Sequence, residues 1–219
     1  VAERNFRPHV NCVDITPDQK YLCAVDLGVD QVKIYKFNHE TGKITLVDML
    51  RCELESAPRI IKFSPDGRFA YLICELKNYI SVYSYKDGPR GPVFELLQTI
   101  STLNDYHSSG SAACVLRFSR DWKYVLCSNA GDNSIGIFKI DRETGKLEKI
   151  CILPISGDYP KAADFFPDNR HIMSLNHETN TMTIFKINYE KKYFSMWGKP
   201  LKVETPNCIL VSEIEKLPG

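Results

Sequence analysis

Apolar and polar residues alternate in short runs along nearly the whole chain, as in Ile61-Lys62-Phe63 and Val115-Leu116-Arg117-Phe118. Turn-forming residues break each run, and no stretch carries a helical period, so the pattern predicts an all-β protein. One turn signature recurs four times: Thr16-Pro17-Asp18, Ser64-Pro65-Asp66, Ser119-Arg120-Asp121 and Phe166-Pro167-Asp168. The copies lie roughly 47 to 55 residues apart, the size of a four-stranded repeat unit. Around each copy the same elements follow in order. A first strand precedes the turn, and a second strand follows it, as in Phe69-Ala70-Tyr71-Leu72-Ile73. A polar turn then leads to a third strand rich in β-branched and aromatic residues, as in Ile80-Ser81-Val82-Tyr83. In two copies a Glu-Thr-Gly-Lys turn (Glu40 to Lys43, Glu143 to Lys146) opens a fourth strand.

These units read as blades of a β-propeller: residues 8–55, 56–108, 109–158 and 159–205 of one domain, with 206–219 as the first strand of a further blade. A β-sandwich is the alternative all-β arrangement, but it does not require the same turn at the same place four times. The polar stretch between Thr102 and Ala112 lengthens the second unit and reads as a surface loop, a common place for a ligand face on a repeat scaffold.

The repeat also locates a candidate site. In a propeller the first strand of each blade lines the central channel, and its start shares a face with the end of the second strand. Counting back from each turn Asp gives Asn11, Arg59, Cys114 and Lys161, with Asn207 if the last strand aligns. Counting forward gives Leu27, Glu75, Ala130 and His177. Such a ring predicts a polar, mainly basic mouth suited to an anionic small molecule. Arg59 offers a two-pronged contact to a carboxylate or phosphate, and Glu75 is a candidate general base on water. The alternative for this pair is a structural ion bridge between two blades. Cys114, beside basic residues, is a candidate reactive thiol.

Composition narrows the classes. The 219 residues carry a formal charge of +1 with acids and bases interleaved, which gives no reason to expect nucleic acid or an anionic membrane as partner. No apolar run reaches the roughly 20 residues of a transmembrane helix, and no secretory leader is evident. The eight cysteines include no CxxC pair. They read as free thiols in a reducing, cytoplasmic setting with no structural zinc. His39, His107 and His171 are scattered, and a lone His177 is a poor metal site, so no metal or cofactor is expected. The chain opens on Val1, which reads as a cut precursor or part of a longer sequence.

The ordered motifs His9-Val10-Asn11-Cys12-Val13, Ala57-Pro58-Arg59, Cys74-Glu75-Leu76, Ser128-Asn129-Ala130-Gly131 and Asp132-Asn133-Ser134-Ile135 resemble one family across essentially the whole chain. It is the seven-bladed propeller lactonases, which include bacterial 6-phosphogluconolactonases and a fungal muconate-lactonising relative. The resemblance implies about three further N-terminal blades; a closed four-bladed ring is the alternative. It also implies a lactonase acting on a small anionic sugar lactone, with Glu75 and Arg59 at its catalytic positions; combined with the mouth ring, His9, Asn11, Lys161 and His177 are expected to contact substrate. Four positions depart from the family pattern, one of them Lys161, where relatives often carry Arg after the Pro. Asn11 stands where relatives carry His, although His9 is expected on the same strand face; Ile60 replaces a His, and Ala130 replaces an Arg. A non-catalytic propeller that binds a metabolite or a protein is therefore the second reading. A chain without activity of its own, for want of the further blades, is a third.

Overall fold

The computed structural model describes residues 7–107 and 110–212. Each repeat folds as an antiparallel sheet whose strands pair in sequence order. The first contains β1 (Val10–Ile15), β2 (Tyr21–Asp26), β3 (Gln31–Phe37) and β4 (Ile44–Arg51). The second contains β5 (Pro58–Phe63), β6 (Phe69–Cys74), β7 (Tyr79–Gly88) and β8 (Gly91–Ser101). The third contains β9 (Ala113–Phe118), β10 (Tyr124–Asn129), β11 (Ser134–Ile140) and β12 (Leu147–Pro154). The fourth contains β13 (Pro160–Phe165), β14 (His171–Asn176) and β15 (Thr181–Asn188), and its outer edge is split into β16 (Tyr193–Met196) and β17 (Leu201–Lys202).

Alternation along a strand here separates two neighbouring sheets, not core from water. All six residues of β6 are buried. Phe69, Tyr71 and Ile73 pack toward the third sheet, while Ala70, Leu72 and Cys74 pack toward the first. A third cluster, with Phe165, Ile172 and Phe185 at its centre, joins the third sheet to the fourth. The sheets thus pack in chain order as an arc of propeller blades. Neither the β-sandwich nor the closed four-bladed ring is formed: the outward face of the first sheet leaves Val13 53% and Ile15 44% exposed.

The recurring turn is built by its own side chains. Thr16, Ser64 and Ser119 hydroxyls donate to Asp18, Asp66 and Asp121 at 2.6, 2.6 and 2.8 Å. The residue after each Asp takes a left-handed conformation: Gln19, Gly67, Trp122 and Asn169. A carboxylate that ties down the turn locally makes that backbone tolerable for residues other than glycine.

A second repeated device joins the blades. Asp30, Asn78, Asn133 and Asn180 occupy equivalent left-handed positions between second and third strands. Asp30, Asn133 and Asn180 each accept the amide of a residue in the next unit: Ala57 at 2.9 Å, Tyr159 at 2.8 Å and Thr205 at 2.7 Å. Those three residues also have positive φ, so the clamp holds strained backbone where each new unit begins. Thr205 shows that the fifth unit starts in the same way. Residues 206–212 nevertheless form no strand, although 206–219 reads as one from sequence; residues 213–219 lie outside the described residues.

The second interface differs, because the 102–112 loop intervenes. Asn78 turns its amide nitrogen to the Ser111 carbonyl at 3.0 Å. Asn78 Oδ1, Thr102 Oγ1, Ser111 Oγ and Asn129 Oδ1 are buried without a hydrogen-bond partner among the described residues. An orphaned buried hydroxyl costs about 1–3 kcal/mol. Thr102→Val, which keeps the shape and removes that hydroxyl, is expected to stabilise the protein by about 1 kcal/mol. Thermal unfolding reads this as a Tm rise of about 2–4 °C. A fall would mean that the hydroxyl has a partner in solution.

Candidate functional site

The start of each first strand and the end of each second strand do share one face. Leu27, Glu75, Ala130 and His177 donate their amides to the carbonyls of His9, Ala57, Ala112 and Tyr159 at 2.8–3.0 Å. Immediately after this join the ladder of every blade slips by one residue. The register skips between Val10 and Cys12, between Pro58 and Ile60, between Ala113 and Val115, and between Pro160 and Ala162. The extra residues are Asn11, Arg59, Cys114 and Lys161. A β-bulge leaves its extra residue unpaired and re-aims its side chain. In this fold it turns the same position of each blade toward the channel.

These four residues, with Asn207, line one groove of ≈ 290 Å³. Arg59 is its most constrained member. Its Nη1 pairs with Glu75 Oε2, and its Nε donates to the Cys114 carbonyl of the next blade at 3.0 Å. Both ends of the Arg59–Glu75 pair belong to the second sheet, so the ion pair itself does not span two blades; Arg59 does so through the Cys114 carbonyl. The side chains keep 25% and 21% exposure; Arg59 lines the groove, and Glu75 meets it through Arg59 without lining it. Desolvation, the largest single influence, disfavours the Arg59 charge, but Glu75 together with Cys114 and Tyr159 outweighs it and holds the guanidinium above its ordinary pKa.

Lys161 reaches Asn207 Oδ1 at 3.2 Å and lies 5.9 Å from the Tyr159 ring. His177 Nδ1 lies 3.3 Å from the Pro206 carbonyl, with its ring 6.4 Å from that of Tyr159. Asn11 donates weakly to the Arg59 carbonyl at 3.4 Å. The structure therefore gathers Asn11, Arg59 and Lys161 at one opening, with Glu75 paired to Arg59 and His177 against the Pro206 carbonyl, neither of the last two lining the groove. His9 stands apart. It precedes β1, its amide is held by buried Asp26 at 2.7 Å, and it is not among the groove-lining residues. The bulge at Asn11 breaks the two-residue alternation that would put His9 and Asn11 on one face.

Cys114 is in the groove but is not activated. Burial pushes its thiol up to about 11, with Arg59 only partly opposing. All eight cysteines are free, and Cys208 is the exposed one. Labelling of the native protein with a disulfide reagent near neutral pH is expected to modify Cys208 first and to spare Cys114; peptide mapping checks the order. Modification of Cys114 as fast as Cys208 would restore the reactive-thiol reading.

Two more cations line the groove that counting to the mouth ring alone does not find: Lys62 and Arg117. Each lies four residues before its turn Asp, so the same symmetry would have located them one tier lower. A larger hollow of ≈ 430 Å³ opens on the opposite face, where Arg68, Arg120 and Arg142 are balanced by Asp66, Asp121 and Glu143. It has no net charge to select an anion. Among the described residues no group of three or more His, Cys, Asp or Glu is placed to hold a metal ion, and no helix is long and apolar enough to cross a membrane.

Comparison with known proteins agrees with this architecture. The family model described as lactonase, 7-bladed beta-propeller matches residues 1–211. An uncharacterised protein of Lactococcus lactis subsp. cremoris is 38% identical over 203 residues, covering 92% of this chain and 58% of the relative. The 6-phosphogluconolactonase of Bacillus subtilis is 27% identical over 207 residues, covering 94% and 58%. The periplasmic gluconolactonase of Pseudomonas aeruginosa superposes with a TM-score of 0.84 at 26% identity, covering 92% of this chain and 56% of that structure. The chain thus spans a little under three fifths of the length of these relatives. With the repeat, the blade packing and the matched motifs in agreement, the chain belongs to the seven-bladed β-propeller lactonase family.

Proposed function

We propose that the groove binds and hydrolyses a small anionic sugar lactone of the 6-phosphogluconolactone type. The observation that carries the reading is the bulge-borne convergence of Arg59 and Lys161, with Glu75 paired to Arg59, on one opening. Arg59 and Lys161 hold the carbonyl oxygen of the lactone and stabilise the negative charge that develops there. Glu75, oriented by Arg59, accepts a proton from water as its oxygen bonds to the carbonyl carbon. The resulting tetrahedral oxyanion collapses, the ring C–O bond breaks, and the proton passes to the departing alkoxide. Asn11 and His177 orient the ring. The B. subtilis and P. aeruginosa relatives, named for lactonase activity, support the class of substrate. The free cysteines favour the cytoplasm as the compartment.

The test is enzyme-dependent opening of 6-phosphogluconolactone and gluconolactone, read as acid release above the spontaneous rate. Release no faster than background with either lactone overturns the reading. The departures at Asn11, Ile60 and Ala130 favour a second reading, a propeller that binds such a metabolite without turning it over. Ligand-induced thermal stabilisation without product marks that case.

A further inference from the structure

On the face opposite the mouth, equivalent residues of the blades are matched by a shared hydrogen bond. One residue of each third strand donates its amide to the residue that precedes the second strand: Tyr85 to Arg68, Ile140 to Lys123 and Ile187 to Arg170. At the interface of the first and second sheets, Tyr85 donates its hydroxyl to Asp18 at 2.9 Å, and Tyr21 donates to Asp87 at 2.8 Å. Between the third and fourth sheets, Tyr189, two residues past Ile187, stacks on Tyr124 with ring centroids 3.8 Å apart. Two tyrosines thus meet at each of these interfaces. Between the second and third sheets, Phe69 stands in the place of Tyr21 and Ile140 in the place of Tyr85. The hollow of ≈ 430 Å³ lies there, walled by both. The turns beside it differ as well. The left-handed residue after the turn Asp is Gly67 in the second sheet, where a Cβ would stand 3.4 Å from that of Pro17, and Asn169 in the fourth, which accepts the Arg120 amide at 2.7 Å. Each meets the preceding blade. In the third sheet it is Trp122, at φ 53°. Such backbone costs a bulky residue about 1–3 kcal/mol. The indole stacks on Phe118, centroids 4.3 Å apart, and lines the hollow.

We propose that this hollow is a second binding site, for a small phenol with a tail of balanced charge, whose ring takes the place that Tyr85 fills one interface earlier. The volume is that of a small-molecule pocket. Phe69 and Ile140 form apolar walls, and Trp122 supplies an aromatic one. Asp66 is the counterpart of Asp18, so it accepts the phenol hydroxyl as Asp18 accepts that of Tyr85. Asp66 already accepts from Ser64 at 2.6 Å and from Arg68 at 2.7 Å, but a carboxylate has room for about four such bonds. At the rim, Arg142 and Glu143 present opposite charges side by side. Arg142 gives one donor to the Asp121 carbonyl and keeps the rest of its five for a ligand carboxylate. Glu143 is an acceptor for an ammonium. Free tyrosine, a net-neutral zwitterion on a phenol, is the simplest molecule that meets all three demands.

The test is titration of the protein with L-tyrosine and L-phenylalanine, followed by the indole N–H resonances of its two tryptophans, which Trp197→Phe assigns. L-tyrosine is expected to shift the Trp122 signal saturably and to leave that of Trp197 in place. L-phenylalanine is expected to bind about tenfold more weakly, for want of a hydrogen bond to a charged acceptor. Ile140→Tyr supplies the ring from the chain itself and is expected to abolish the Trp122 response. Trp122→Asn installs the residue that the fourth sheet carries at this turn and relieves the strained backbone. It is expected to weaken tyrosine about fivefold, read by saturation transfer to the ligand. No saturable shift, an equal shift of both tryptophans, or equal affinity for the two amino acids overturns the proposal. So does undiminished binding in folded Ile140→Tyr; if that variant does not fold, unchanged affinity in Trp122→Asn decides against the site.

Discussion

Glu75→Gln is expected to lower lactone turnover by about 10²–10³-fold without unfolding the protein. Glutamine preserves the shape and can still accept from Arg59, but it cannot take a proton from water. Arg59→Ala is expected to lose a similar factor for a different reason. It removes the donor to the carbonyl oxygen and releases both Glu75 and the Cys114 carbonyl. The two are separable by KM: in the proposed mechanism Arg59 contacts the ground state as well as the oxyanion, so its loss is expected to raise KM, whereas Glu75→Gln is expected to lower kcat alone. Initial rates of acid release, corrected for spontaneous opening, check both. Turnover of Glu75→Gln equal to wild type removes Glu75 from the mechanism.

Ala130→Arg, which restores the residue that relatives carry, is expected to destabilise this protein and to gain no activity. Ala130 is fully buried, and its amide donates to the Ala112 carbonyl at 2.8 Å. It packs with Cys114 in the cluster between the third and fourth sheets. A guanidinium inserted there overfills the space and buries a charge near Arg59, at a combined cost of about 3 kcal/mol. For a chain of this size that lowers Tm by about 6–12 °C. Thermal unfolding and lactone assays of the variant test both halves. Faster turnover at unchanged stability would show that the position opens to the groove in solution.

The blade repeat was legible because each turn is made locally, by a hydroxyl and a carboxylate two residues apart. Such chemistry leaves its mark in a short motif. The mouth residues were legible for a related reason: radial equivalence turns a count from Asp66 or Asp121 into a position in space. What resisted reading depended on contacts between units. Ala130 is buried by the cluster between the third and fourth sheets, and nothing in Ser128-Asn129-Ala130-Gly131 reports it. The expected companionship of His9 and Asn11 failed because a ladder slip is invisible to a period-two count. Residues 206–212 look like a strand by composition, and their start is clamped like one, yet strand pairing is a property of the neighbour as well as of the segment. Lys62 and Arg117 were within reach of the same arithmetic, had it been carried one tier further along the strand.

The slipped register has a consequence for how such a protein diversifies. Residues 11, 59, 114 and 161 hold Asn, Arg, Cys and Lys on one common backbone. The inserted residue contributes no side chain to the alternating pattern of its ladder, so exchange at 11, 59 and 161 leaves strand alignment and interior packing largely undisturbed, whereas Cys114 belongs to the core between the third and fourth sheets. Ligand preference can then drift one amino acid at a time while the scaffold stays fixed. Randomising codons 11, 59 and 161 is accordingly a way to search for new specificities with little risk of losing the folded state.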